Sequence, residues 1–154
     1  MMSNCWRLVL LSLVVTLGGC VVANSIAEPE TQLQIEPAIN INPDARDRPS
    51  PLVIRVYELS AENAFQNSDF FKLYDDAEHA LGMDLISVDD IVVRPGKVHN
   101  HPMSLDSRTR YIGILAAFRD IQNAEWRVLV EADPRGYDTV NLTIDRLALQ
   151  RSED

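Results

Sequence analysis

From Leu33 to Ile144 the apolar side chains recur mainly at every second position, and this period constrains the fold more than any other feature. Successive side chains of a strand point to opposite faces, so a period of two marks strands with one face on a core. Leu52, Ile54 and Val56 point one way while Arg55 and Tyr57 point the other, which predicts a strand. Trp126, Val128 and Val130 form a second such row within residues 125–131. Val140, Leu142 and Ile144 form the last, with an extension to Leu147 and Leu149 in view. Residues 111–118, YIGILAAF, are apolar on both parities, as befits a central strand buried on both faces. Shorter runs at 85–88, 91–93 and 98–105 complete the set. Leu33, Ile35, Ile39 and Ile41 also share a parity, with Pro37 between them. Proline donates no ladder hydrogen bond, so this segment is expected as an edge strand or a bulged one.

Punctuation agrees with short antiparallel strands. Pro95-Gly96 between Arg94 and Lys97 fits a type II turn, and Asp133-Pro134-Arg135-Gly136 reverses the chain. Asp89 and Asp90 are expected as turn residues ahead of a strand. The period changes once. Phe70, Tyr74, Ala77 and Leu81 recur at helical steps, with Phe71 and Leu73 broadening the apolar face. Ser60 is expected to cap a short turn, Ser68 to cap a helix from Asp69, and Gly82 to stop it. Six to eight strands with one helical insertion predict a mainly β chain built as an antiparallel β-sandwich.

Ahead of the strands lies a different kind of sequence. Arg7 supplies a positive charge, and residues 8–17 read LVLLSLVVTL. A membrane span needs about 20 apolar residues, so this run suits the core of an export signal instead. Leu17-Gly18-Gly19-Cys20 follows directly and resembles the bacterial lipobox, with cleavage between Gly19 and Cys20. The expected organisation is a signal peptide over 1–19, a lipidated tether over 20–30 and a β-sandwich domain over 31–154. Cys20 would carry covalent diacylglycerol and a fatty acyl chain such as palmitate, and no other cofactor is implied.

Cysteine usage fits. Cys5 falls in the removed part and Cys20 takes lipid, so the mature chain keeps no thiol for a disulfide. From Cys20 to Asp154 there are 135 residues, enough for one domain held by its core alone. Only Arg7 is lost among charged groups, leaving 13 basic against 23 acidic side chains. That balance argues against nucleic acid and against electrostatic adhesion to anionic head groups, so attachment would depend on acyl chains. Val21 stands where an Asp retains Gram-negative lipoproteins in the inner membrane, so the outer membrane, periplasmic face, is expected.

No constellation for chemistry stands out. His99-x-His101 would place two imidazoles on one side of a strand, with Asp106 or His79 as a third metal ligand, but such a pair more often lies exposed to water on a loop or edge strand, and no metal site is expected. Asp75-Asp76 and Asp89-Asp90 are adjacent, so neither pair converges on one substrate. Ser104, His101 and Asp106 lack a nucleophile elbow, and glycine-rich phosphate loops are absent, so no catalytic residue is named. The loop from Asn42 to Pro51 differs: Pro43, Pro49 and Pro51 limit its freedom, and Arg46 and Arg48 stand out on an acidic chain.

Four blocks carry a resemblance. They are RPSPLVIRVYEL at 48–59, DFFKLY at 69–74, YIGILAAFR at 111–119 and WR at 126–127. In this order, behind a lipobox, they resemble the outer-membrane lipoprotein family of the bacterial type VI secretion system (TssJ, VasD or Lip). The resemblance implies a transthyretin-like β-sandwich and a role without catalysis: anchoring the secretion apparatus by binding the periplasmic region of TssM, the inner-membrane core protein. In that family a loop between the first two strands is associated with the contact, which would here involve Asp44, Arg46, Asp47, Arg48 and Pro49. The motif residues Phe70, Phe71, Tyr74, Tyr111 and Trp126 are expected in the core. Two other readings stay open from the residues themselves: another binding or pilot lipoprotein on a β-sandwich, and a small periplasmic hydrolase.

Overall fold

Strand β2 (Leu52–Leu59) organises the molecule because both its faces are buried. In this computed structural model, which describes residues 29–152, Leu52, Ile54 and Val56 turn into the interior of a sandwich, while Tyr57 and Leu59 turn outward beneath short helices. Around β2 the first sheet runs β3 (Leu85–Val93), β2, β5 (Tyr111–Ala116), β6 (Arg127–Glu131), all antiparallel. The second runs β4 (His99–Met103), β1 (Thr31–Pro37), β7 (Asp138–Asp145), β8 (Ala148–Arg151). Its one departure from antiparallel pairing is β1 against β7. Leu33, Ile35, Val140, Leu142 and Ile144 from this sheet meet Ile54, Val56, Ile112 and Ile114 from the other, and together they form the main core. The antiparallel-rich β-sandwich is therefore the observed fold, and β5 takes the central place its two apolar faces predict.

The second core lies outside the first sheet. Helices α1 (Asn63–Asn67), α2 (Phe70–Asp75) and α3 (Ala77–Leu81) press Phe65, Leu73 and Leu81 onto Tyr57, Leu59 and Leu115. Burial pushes the Tyr57 phenol up to about 12, and its hydroxyl donates to the Leu73 carbonyl at 3.0 Å. Gly113 on β5 leaves room for this packing: a Cβ there would lie 2.8 Å from the Phe65 ring.

Several expectations change in detail. β1 is not an edge strand. It lies between β4 and β7, and Pro37 is tolerated because it is the last residue. Ala38 donates to Ile144 of β7, so Pro37 turns its nitrogen to the β4 side, beyond the last β1–β4 pair at Ile35 and His99. The chain then bends, so Ile39 is exposed although Ile41 is buried. The expected single helix is broken at Asp76, whose φ of −147° is not helical. Asp69, not Ser68, caps α2 by accepting from the Lys72 N–H, and Asp76 caps α3 through the His79 N–H. Ser60 caps nothing; its hydroxyl faces the Asp84 carbonyl. Phe71 does not join the core and is 56% exposed, while Phe70, Tyr74, Tyr111 and Trp126 pack against it. Asp89 and Asp90 are not turn residues but lie inside a continuous β3. Leu147 and Leu149 do not prolong β7: the chain reverses at Arg146-Leu147 and Leu149 belongs to β8. The type II turn at Pro95-Gly96 forms, with Gly96 at φ 66° and the Lys97 N–H on the Arg94 carbonyl.

Candidate partner-binding face

Strand directions sort the connections into two poles. Thr31, where β1 begins, pairs with Met103 at the end of β4 and Asp138 at the start of β7. The chain therefore joins the sandwich at one pole, and β8 leaves toward the same pole. Residues 38–51, 94–98, 117–126 and 146–147 form the connections at the other pole. Six basic side chains lie on these four segments: Arg46, Arg48, Arg94, Lys97, Arg119 and Arg146. The same segments hold four acidic side chains, Asp44, Asp47, Asp120 and Glu125, so this pole is slightly basic on a chain of net charge −9.

The longest connection, residues 38–51, is ordered by its own side chains. Asp44 Oδ1 accepts from the Arg46 and Arg48 amides at 2.9 and 3.0 Å, and Oδ2 accepts from the Arg48 guanidinium at 2.9 and 2.7 Å. The Arg48 side chain, then the two amides, hold the Asp44 carboxyl at about 2. Asp47 has a left-handed φ of 63° and reaches Arg146 on the β7–β8 turn at 2.6 Å. Pro49 is exposed beyond this pair. The Arg46 guanidinium, also exposed, makes no hydrogen bond or ion pair with any described residue.

Asn42 fastens this loop to the body. It is 3% exposed with a φ of 47°. Its amide N–H donates to the Arg146 carbonyl at 2.9 Å, and its side-chain nitrogen to the Pro51 carbonyl at 2.8 Å. Its Oδ1 accepts from the Arg119 N–H at 2.9 Å, and its carbonyl accepts from the Ser50 hydroxyl. Arg119 Nε in turn donates to Ser50 Oγ at 3.1 Å. Between the three segments lies a cleft of about 480 Å³ lined by Pro43, Asp44, Ala45, Arg119, Asp120, Arg146 and Leu147.

The structure thus brings Asp44, Arg46, Asp47, Arg48 and Pro49 together on one face, and it adds Asn42, Arg119 and Arg146, which sequence reasoning did not single out. Asn42 carried one usable signal, since Asn before Pro marks a turn. Arg119 closes the 111–119 block, but nothing in the sequence sets it or Arg146 beside the loop, because only the strand order does that. Gly19 and Cys20 lie outside the described residues, as do the expected signal segment and nearly all of the expected tether.

The other candidates do not converge. His101 Nε2 lies 3.4 Å from Asp89, linking β4 to β3 across the open side of the sandwich. Among the described residues no group of three or more His, Cys, Asp or Glu side chains gathers as a metal site, so neither Asp106 nor His79 completes one with His99 and His101. Asp106 is engaged by Arg108 at 3.0 Å, away from any triad with Ser104 and His101. Asp90 binds Arg55, and Asp76 caps a helix.

A family model described as type VI secretion lipoprotein, VasD, EvfM, TssJ, VC_A0113 matches residues 29–147. The chain belongs to the type VI secretion lipoprotein family. Solved structures share its fold. TssJ1, the T6SS lipoprotein of Pseudomonas aeruginosa, is 32% identical over 81% of this chain and 95% of its own, with a TM-score of 0.75. Serratia marcescens Lip, a membrane-bound component of the type VI secretion system, is 22% identical over 82% and 98%, with a TM-score of 0.75. A chain of the structure of the T6SS protein TssM C-terminal domain from EAEC is 23% identical over 81% and 98%, with a TM-score of 0.70. No curated protein matched the chain. This type VI secretion lipoprotein is membrane-associated as its family is, and no helix among its described residues is long and apolar enough to cross a membrane.

Proposed function

We propose that this lipoprotein is anchored in the outer membrane by acyl chains on Cys20, faces the periplasm, and binds a TssM-like inner-membrane protein to assemble the type VI secretion membrane complex. In this reading residues 1–19 are the removed signal, 20–30 the lipidated tether and 31–154 the binding domain. It acts by binding, not by catalysis. The observation that carries the reading is the ordered loop of residues 38–51, held on the pole opposite the one where the chain joins the sandwich. Lipid attached at Cys20 would hold the joining pole within about 35 Å of the bilayer, since ten residues extend at most 3.3–3.6 Å each. The loop, with Asp44, Arg46, Asp47, Arg48 and Pro49, would then face away from the outer membrane toward the partner. Pre-ordering by the Asp44–Arg48 pair lowers the entropy lost on docking.

Cys20→Ser tests the anchor: the variant is expected to fold, to leave the membrane fraction and to abolish secretion. Undiminished secretion by a variant shown to be soluble would sink the anchoring role. Reversal of charge at Arg46 and Arg48 tests the contact, and unchanged affinity for the periplasmic region of the partner would remove this loop from it.

A further inference from the structure

The proposed contact lies on one loop, residues 38–51. The hydrogen bonds around Asn42 do not respect that limit. Its side chain and backbone tie residues 38–51 to Arg119 on the β5–β6 connection and to Arg146 on the β7–β8 turn. The Asp47–Arg146 pair adds a second tie. A loop held at two points to its neighbours cannot reshape on docking without breaking them, so its neighbours move or hold with it.

Charge separates the groups on this face that are engaged from those that are available. Arg48 and Arg146 are spent on Asp44 and Asp47. Among the described residues the Arg46 guanidinium has no partner, and Arg119 engages only Nε, on Ser50, which leaves its outer nitrogens exposed. Guanidinium groups with open forks suit carboxylates, which they bind in pairs of parallel hydrogen bonds. The surrounding connections are slightly basic while the remainder of the chain is acidic.

Resting on the assignment of the loop to the partner, we infer that the recognition face is composite. It spans residues 38–51, Arg119 and the β7–β8 turn, with Asn42 as its positioning residue. It receives a carboxylate-rich segment of the partner, read by Arg46 and Arg119 at the rim of the cleft.

The test measures affinity of the full chain, in detergent, for the periplasmic region of the TssM-like protein, across salt from about 0.05 to 0.5 M. Arg119→Glu is exposed and should leave the melting temperature unchanged while weakening binding about tenfold and flattening the salt dependence. Asn42→Gly keeps access to the left-handed backbone but loses both side-chain bonds. It should weaken binding about tenfold with the salt dependence intact and with faster amide exchange across residues 44–48. If Asn42→Gly fails to fold, Arg119→Glu alone decides. Should Arg46→Glu weaken binding while Arg119→Glu and Asn42→Gly do not, the single-loop contact stands and the composite face is wrong. Affinity indifferent to salt overturns the carboxylate-rich segment. Full affinity in every variant, including replacement of residues 42–51 by a short turn, removes the loop assignment itself.

Discussion

Arg55 and Asp90 sit directly opposite each other on β2 and β3, joined by two contacts of 2.7 Å from Nε and Nη2 to the two carboxylate oxygens. The same guanidinium lies 4.5 Å from the centre of the Tyr74 ring and donates to the Tyr74 carbonyl. One side chain therefore ties the edge strand β3 to β2 and clamps the C-terminal end of α2 onto the sheet. Arg127 does the same for α1, donating to the Phe65 and Ser68 carbonyls at 2.8 and 3.0 Å.

Arg55→Ala is expected to cost about 1–3 kcal/mol, read from the midpoint of urea unfolding, because it removes a bidentate pair, a ring contact and a carbonyl's donor together. Asp90→Asn removes only the pair and should cost less than about 1 kcal/mol. The Arg55 side chain holds the Asp90 carboxyl below its usual value. A lowered folded value means that this contribution is present above the unfolded value of 3.8 and is lost as pH falls through the folded one. The gap between wild type and Asp90→Asn should therefore be constant from pH 7 to about 5 and close below about 4. A gap that persists undiminished at pH 2 would reject the ion pair as its origin.

Asp44 predicts order without global stability. It lies on an exposed loop, so Asp44→Ala should leave the unfolding midpoint nearly unchanged while amide exchange at Arg46 and Arg48 accelerates strongly. Its carboxyl titrates at about 2 against 3.8 in the unfolded chain. The loop's protection should thus be constant above about pH 4, decline as pH falls below 3.8 and be lost as pH falls through about 2. Loss of protection already at pH 5 would show that Asp44 does not hold the loop.

Gly113→Ala should cost about 1–3 kcal/mol by overpacking, because the new methyl group meets the Phe65 ring at 2.8 Å with Phe65 itself fully buried. Combining it with Phe65→Leu, which frees ring volume, should cost less than the sum of the two single changes in a double-mutant cycle. Strict additivity would place the strain elsewhere.

The alternation of Leu52, Ile54 and Val56 revealed a strand because a half-buried sheet imposes that period locally, and the apolar run at 111–118 revealed a central strand for the same reason. What stayed hidden was pairing. Nothing in the spacing of Leu33 and Ile35 tells that β1 lies parallel to β7, so Pro37 reads as the mark of an edge or a bulge although β1 is flanked on both sides. Phe71 neighbours a helical stripe in sequence, but in α2 the covered face is the one that carries Leu73, fully buried, with Phe70 and Tyr74 half-buried beside it, and Phe71 points off that face. The loop of residues 38–51 stands out in the sequence through its prolines and arginines. Its fastening does not, since Asn42 finds Arg119 77 residues away.

The two poles make the last prediction. β1 spans seven residues, so the loop pole stands about 20 Å beyond the point where the chain joins the sandwich. A photo-crosslinker at exposed Ile39 or Lys97 lies on the loop pole, while one at exposed Ser107 or Arg135 lies on the pole of the tether. In cells assembling the apparatus, Ile39 and Lys97 should capture the TssM-like protein, whereas Ser107 and Arg135 should not. Each substitution replaces an exposed side chain, so differences in folding do not account for the pattern. Capture from Ser107 or Arg135 alone would mean that the partner reaches the tether pole. The sandwich would then lie between the loop and its supposed target, and the loop's orderly fastening would serve the fold instead of the contact.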